Sequence, residues 1–219
     1  MIELEKYRIV DLSRPLYPGK EKRRLSIRQF RYGFGEIMHE IDTMSHIGTH
    51  VEVPSHYVNA RYGRQGADLS EVPIEKFLGE AVLVDLSSKG PHEPITVEDL
   101  ENANIKEKDI VLIGNSPYRG DSRPYLSAEA AKWLAKKKVK MVGFDDTVMV
   151  EEPTVKNLED MATHDSLLSN GILIIEMLTN LDKLRTKRFF FIGLPVNIAG
   201  LDAFPIRAIA LEPKEVRST

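Results

Sequence analysis

Apolar positions along the chain fall into short runs separated by polar segments. Seven runs are rich in β-branched and aromatic residues: "RIVDLS", "AVLVDLS", "DIVLIGN", "VKMVGF", "ILIIEML", "FFFIGLPV" and "IRAIAL". Runs of four to eight such residues predict strands. Between some of them the pattern turns helical. "TVEDLENAN" opens on a threonine cap followed by acidic residues, which suits a helix N-terminus. "LSAEAAKWLAKKK" offers Ser127 as N-cap, strong helix formers, and lysines in its last turn. Strands alternating with helices predict an α/β class. The first seventy residues read as strand and loop. "GFGEIMH" lacks the third glycine of a dinucleotide loop and reads as a turn. No repeat or Gly/Ser/Pro-rich linker interrupts the chain, so a single domain over 1–219 is expected.

Composition narrows the function classes. Of 219 residues 42% are apolar and 29% charged, ordinary for a globular chain able to bury a core. The net charge of -3 gives no basic field for nucleic acid. The clusters "KEKRR" and "KKKVK" read as solvated faces. There is no cysteine, which removes disulfides, thiolate metal sites and cysteine nucleophiles. No apolar run reaches the roughly 20 residues of a membrane span, and "MIELEKYRIVDLS" lacks a secretory apolar core. The expectation is a cytoplasmic protein. Phosphate-loop and nucleophile-elbow motifs are absent, and Pro117 in "GNSPY" argues against Ser116 as a nucleophile.

Three of the six histidines lie in "HIGTHVEVPSH", residues 46–56. His46, Gly48, His50, Glu52, Pro54 and His56 occupy every second position. Gly48, the β-branched residues and Pro54 oppose a helix, so an extended strand with one polar face is expected. On a flat strand His46 and His50 would stand about 13 Å apart, too far to share one ion comfortably. A bend at Gly48 would bring them together, and Pro54 is expected to turn the chain again. A polar edge strand is the bland alternative. A second signal is "HDSLLSNGILIIEMLTNL": a short helix stopping at Asn170–Gly171, then a buried strand from Ile172 to Leu178. Glu176 sits in that strand on the face of Ile174 and Leu178. A carboxylate there needs an ion pair or a metal.

These segments together resemble the metal-dependent cyclase family, which includes bacterial kynurenine formamidases and isatin hydrolases. The family motif H-x-G-T-H-x-D-x-P-x-H appears here as "HIGTHVEVPSH". "PLYPG", "PYLSAEAAKWLAKKKVKMVGFDD", "HDSLLSNGILIIEMLTNLDKL" and "LPVNIAGLDAFPIRAIAL" follow the family order across nearly the whole chain. The resemblance implies a swivelling β/β/α domain with a curved mixed β-sheet flanked by helices. It implies that His46, His50 and Glu52 bind one metal, that His164 and Glu176 complete a second site or bridge the two, and that His56 transfers protons. It implies zinc, one or two ions per chain, or manganese, and a homodimer or larger assembly. The expected activity is hydrolysis of a C–N bond in an amide, formamide or lactam, with arylformamidase the leading reading. A metal-dependent lyase or dehydratase, or a metal-binding protein without catalysis, is the alternative. Two departures stand out: Glu52 replaces the family's Asp, and "IGNSPY" differs from the family segment after that strand. Substrate-binding residues are not identified. Tyr17, Phe34, Tyr57 and Tyr62 are candidates for an aromatic pocket, with core packing the expected role of each.

Overall fold

A computed structural model describes residues 3–214. The chain-end residues outside that span include both limits of the expected 1–219 domain. Twelve strands and four α-helices are present among the described residues. The strands are β1 (Tyr7–Asp11), β2 (Leu25–Tyr32), β3 (Glu36–Thr43), β4 (His50–Glu52), β5 (Leu78–Asp85), β6 (Pro94–Ile95), β7 (Ile110–Gly114), β8 (Tyr125–Leu126), β9 (Met141–Asp145), β10 (Leu173–Leu178), β11 (Arg188–Pro195) and β12 (Ala203–Pro213). The helices are α1 (Ser55–Tyr62), α2 (Val97–Glu101), α3 (Ala128–Lys137) and α4 (Ala162–Leu168).

Eight strands form one mixed sheet in the order β1-β12-β11-β5-β7-β9-β10-β4. β5, β7, β9 and β10 are parallel neighbours. Residues Ala203–Pro205 of β12 also pair with β4, so the sheet curls until it meets itself. The curved mixed sheet is as the sequence led one to expect. Its closure into a barrel-like ring is not visible in any single segment, because it depends on a pairing between residues about 150 positions apart.

Side-chain alternation divides the sheet into two apolar layers. Ala81, Leu83, Ile110, Leu112, Phe189 and Phe191 turn into the barrel interior. Val82, Val84, Val111, Ile113 and Val142 turn outwards under Leu100, Leu134 and Leu167 of the covering helices. The parallel strands are buried on both faces, and that is why they read as continuous apolar runs. Local signals explain the helix starts. Thr96 forms a capping box with Asp99, and the Ala130 amide donates to Ser127 Oγ at 3.2 Å. No helix among the described residues is long and apolar enough to cross a membrane.

Three local expectations change. The "first seventy" segment contains helix α1, because Pro54 has helical dihedrals and starts it. Only His50–Glu52 of the histidine motif is strand, because Gly48 adopts φ +60 just before it. Leu178 does not share the face of Glu176. The register of β10 against β9 shifts between Ile175 and Leu178, Met177 takes φ +61, and Leu178 turns into the interior. The "GFG" segment is the expected turn, here between β2 and β3.

Phe191 is fully buried inside the ring. Phe191→Ala is expected to lower unfolding free energy by about 3–5 kcal/mol in urea titrations. A loss below about 1 kcal/mol would contradict a close-packed interior.

Candidate metal centre

The turn at Gly48 and the start of α1 fold the histidine motif into a cup. A Cβ on residue 48 would come within 2.5 Å of Leu16, so glycine is required by space as well as by dihedral. Thr49 Oγ1 donates to the Met177 carbonyl at 2.7 Å, which pins the motif to the β10 bulge. β4 and β10 then pair with His50 opposite Glu176 and Glu52 opposite Ile174. Val51 and Val53 fill the interior, and His50 and Glu52 face the other way. Pro54 places His56 in the first turn of α1, and α4 packs beside α1 with His164.

The structure brings together all six residues that the sequence singled out. Glu52 lies at the middle and is 2% exposed. Its Oε1 is 2.8 Å from His46 Nδ1, 3.4 Å from His50 Nε2 and 3.9 Å from His56 Nε2. Its Oε2 is 3.4 Å from His164 Nε2. Glu176 Oε2 is 3.9 Å from His50 Nε2. Potential donor atoms fall into two triads sharing Glu52: His46–Glu52–His56 and His50–Glu52–Glu176. His46 and His50 therefore fall in different triads. Among the described residues no arginine pairs with Glu176, and its salt-bridge contact is with His50.

Three imidazoles are oriented in the same way. His50 Nδ1 donates to the Gly48 carbonyl at 2.8 Å, His56 Nδ1 meets Asp202 Oδ2 at 2.9 Å, and His164 Nδ1 meets Glu151 Oε1 at 2.7 Å. Each Nδ1 is held by an oxygen, so each Nε2 is presented to Glu52. Metal-ligating histidines are commonly fixed in this manner. His50 Nε2 and Glu52 Oε2 are buried without a hydrogen-bond partner. Their separations also fit an ion better than a hydrogen bond. Two ligands at about 2.1 Å from a tetrahedral ion stand about 3.4 Å apart, whereas N–H···O bonds cluster near 2.9 Å. The donor set fits a divalent metal.

Glu151 and Asp202 were not anticipated. Asp202 Oδ2 bridges His46 Nε2 at 3.0 Å and His56 Nδ1. Glu151 also accepts from the amides of Thr163 and His164 at the start of α4. An isolated carboxylate between Leu201 and Ala203 was a readable signal. Glu151 was not, because acidic pairs such as Glu151–Glu152 are common in loops.

Charges in the cluster are strongly coupled. Burial alone would favour neutral His46 and His164. Asp202 and Glu52 outweigh burial at His46 and raise its pKa to about 9. Glu151 and Glu52 do the same at His164 and raise it to about 10. Burial likewise opposes ionisation of Glu52, yet His164, His46 and His50 hold its carboxyl well below the usual range. His46 and His56 hold Asp202 far below it. Burial and the neighbouring Glu52 charge push Glu176 up. Protons thus occupy a place suited to cations.

A cavity of about 430 Å³ adjoins the cluster, with His164 and Glu176 in its wall. Phe144, Val148, Met149 and Met177 form an apolar part of its wall, while Arg123, Asp145, Glu151 and Glu152 make the rest charged. None of Tyr17, Phe34, Tyr57 or Tyr62 lines it. Of these four, Tyr57 alone packs in the core; the others are exposed because they lie at the surface or on a hairpin. A second hollow, near Lys76 and Lys140, contains none of the cluster. The ammonium groups of these two lysines are bonded to backbone carbonyls.

Fold and site define an α/β protein with a buried His/Glu cluster that could hold a metal, beside a cavity of mixed apolar and charged lining. The family model described as Putative cyclase matches residues 10–151, and the chain belongs to that cyclase family. A kynurenine formamidase of Bacillus cytotoxicus is 30% identical over 91% of this chain and 95% of its own length. An uncharacterized protein of Methanocaldococcus jannaschii is 33% identical over 93% of this chain and 98% of its own. A solved structure described as a potential metal-dependent hydrolase with cyclase activity has TM-score 0.73 and 26% identity, covering 96% of this chain and all of that one. Isatin hydrolase A from Labrenzia aggregata, bound to benzyl benzoate, shares the fold at TM-score 0.79 and 22% identity, over 96% of this chain and 95% of its own.

The raised histidine pKa values set a pH dependence for the metal-free protein. Unfolded histidines titrate near 6.5. The stability these two contribute is therefore complete below about pH 6.5 and is lost as pH rises through about 9 to 10. Asp202 has the opposite sign: its contribution is present above its ordinary value of 3.8 and lost in acid. Thermal midpoints of chelator-treated protein should fall from neutral pH towards pH 10. A flat profile there would contradict the paired-histidine geometry.

Proposed function

We propose that the chain is a metal-dependent hydrolase of a C–N bond, with an N-aryl formamide such as N-formylkynurenine as its substrate. The observation that carries this reading is the convergence of His50, His56 and His164 Nε2 on Glu52 beside a cavity with a partly apolar wall. The kynurenine formamidase relative supports the same class of substrate. The residues that would hold divalent ions are His46, His50, Glu52, His164 and Glu176, with Glu52 central because its two oxygens face different imidazoles. Zinc is the leading candidate and manganese the second. A bound ion supplies Lewis acidity, lowering the pKa of water towards about 7 and polarising a carbonyl oxygen.

The chain's own groups do the rest. The cavity is within the roughly 300–1,000 Å³ range of small-molecule sites, and the apolar part of its wall suits a single aromatic ring. Arg123 offers a cation to a substrate carboxylate. When water adds across the C–N bond, the acyl carbon gains oxygen and the departing nitrogen needs a proton. His56 is placed to give it. Asp202 fixes its Nδ1, its Nε2 points at the cluster, and its side chain is 28% exposed, so it can exchange protons with solvent.

Purified protein loaded with Zn or Mn should hydrolyse N-formylkynurenine faster than isatin, measured by absorbance. No turnover of either with either metal would overturn the reading. His56→Ala should lower kcat by about 10²–10⁴-fold while metal content stays near wild type. If it loses metal to the same extent as His50→Ala, His56 is a ligand and the proton comes from elsewhere.

A further inference from the structure

The basic run "KKKVK" ends in the second hollow, which the metal cluster does not use. The four parallel strands β5, β7, β9 and β10 run in register from that end of the sheet. The hollow has a volume of about 360 Å³. Its charged lining comes from the segments that enter three of these strands: Glu75 and Lys76 before β5, Glu107 and Lys108 before β7, and Lys138 and Lys140 before β9. The cavity beside the cluster is at the other end, where β9 finishes with Phe144 and Asp145.

Four lysines therefore share this lining with two glutamates. Among the described residues the lysines that form ion pairs are Lys6 and Lys89, so all four here lack a carboxylate within salt-bridge reach. Lys76 and Lys140 are half-buried and held in place by backbone. Lys76 Nζ donates to the Gly171 carbonyl at 3.1 Å, and Lys140 Nζ donates to the carbonyls of Glu75 at 3.0 Å and Leu78 at 2.7 Å. Gly79 makes room for this: a Cβ there would come within 2.6 Å of the Lys140 ammonium. An ammonium has three N–H groups, so two remain free on Lys76 and one on Lys140. Burial and the neighbouring Lys140 charge push the Lys76 pKa down. Like charges are thus held close together with no counter-charge from the chain.

Lys108 and Lys138 stand at the rim. Both are exposed, and both take left-handed backbone, φ +66 and φ +57. The Lys108 amide donates to the Lys138 carbonyl at 3.0 Å, which joins the two turns. Lys138 follows α3 at the position where glycine is the usual residue. Glycine would be less strained at either place, and what lysine adds there is its charge.

We propose that this hollow binds a phosphate dianion, free or as the phosphate of a small monoester, with Lys76 and Lys140 at its floor and Lys108 and Lys138 closing on it from the rim. The free N–H groups of the two floor ammoniums suit phosphate oxygens, which accept charge-assisted hydrogen bonds. The exposed rim lysines are long enough to fold over the anion and neutralise the rest of its charge. The volume leaves room for a short organic body beside the phosphate. Glu75 and Glu107 repel larger polyanions and can accept from hydroxyls on that body. The site is independent of the hydrolase reading, because none of its residues belongs to the cluster. One bond links the two places: the Gly171 carbonyl held by Lys76 lies in the turn between α4, which carries His164, and β10, which carries Glu176.

Isothermal titration calorimetry of the full chain as purified, at neutral pH and constant ionic strength in chloride, tests the site with inorganic phosphate and with glycerol 3-phosphate. At least one of the two should bind saturably, with Kd of about 1 mM or tighter. The variant Lys108→Gly with Lys138→Gly should bind it at least about tenfold more weakly. Glycine suits both left-handed positions, so the thermal midpoint of this variant in chloride should stay close to wild type. The metal cluster is untouched in the variant, so an anion bound to a metal would bind both proteins alike. Equal affinity for the two proteins overturns the proposal and places the anion at the cluster. Absence of saturable binding of either anion to the wild-type chain overturns it outright. With the lysine dependence present, tighter binding of glycerol 3-phosphate supports the site with a monoester as occupant, and tighter binding of inorganic phosphate supports it with the free ion.

Discussion

The structure depends on one buried carboxylate. Glu52 is almost wholly withdrawn from water at the centre of four imidazoles, with Glu176 close by. An isolated buried charge is prohibitively costly, so the surroundings must supply positive charge. The fold meets that requirement from several elements at once. The Gly48 turn supplies His46, β4 supplies His50, the first turn of α1 supplies His56, and α4 supplies His164. The bulge in β10 keeps Glu176 on the cluster face while sending Leu178 inside. Without a bound cation, protons on His46 and His164 carry the balancing charge. A divalent ion held there would do the same, because two contacts to Glu52 already stand at ligand spacing.

A surrounding layer of oxygens gives the cluster its direction. The Gly48 carbonyl, Asp202 and Glu151 each hold a histidine Nδ1. These acceptors lie on three different segments, and each fixes which nitrogen faces inwards. Placing Glu where the family motif has Asp lengthens the side chain by one methylene. In this chain the longer side chain reaches His46 with one oxygen and His164 with the other.

Much of this was legible in the sequence, for local reasons. Apolar runs showed the central strands because both of their faces are buried. Thr96 and Ser127 marked helix starts because capping acts within three residues. The motif around Gly48 showed a bend because left-handed backbone favours glycine. What was hidden depends on distant contacts. Closure of the sheet rests on β4 meeting β12, and the role of Asp202 rests on the same approach. Helix α1 was missed because alternating His, Glu and Pro residues suggested a strand, whereas Pro54 at a helix start ends it. Leu178 was placed on the wrong face because period-2 reasoning does not foresee a bulge.

The central claim is that Glu52 and the histidines around it hold a divalent metal. Elemental analysis of protein purified without chelator, run beside Glu52→Gln, tests it most directly. The account predicts a substantial fraction of at least one Zn or Mn per wild-type chain and near-complete loss in Glu52→Gln, with the fold retained by circular dichroism. Wild-type protein that is metal-free and takes up neither Zn nor Mn on dialysis would contradict it.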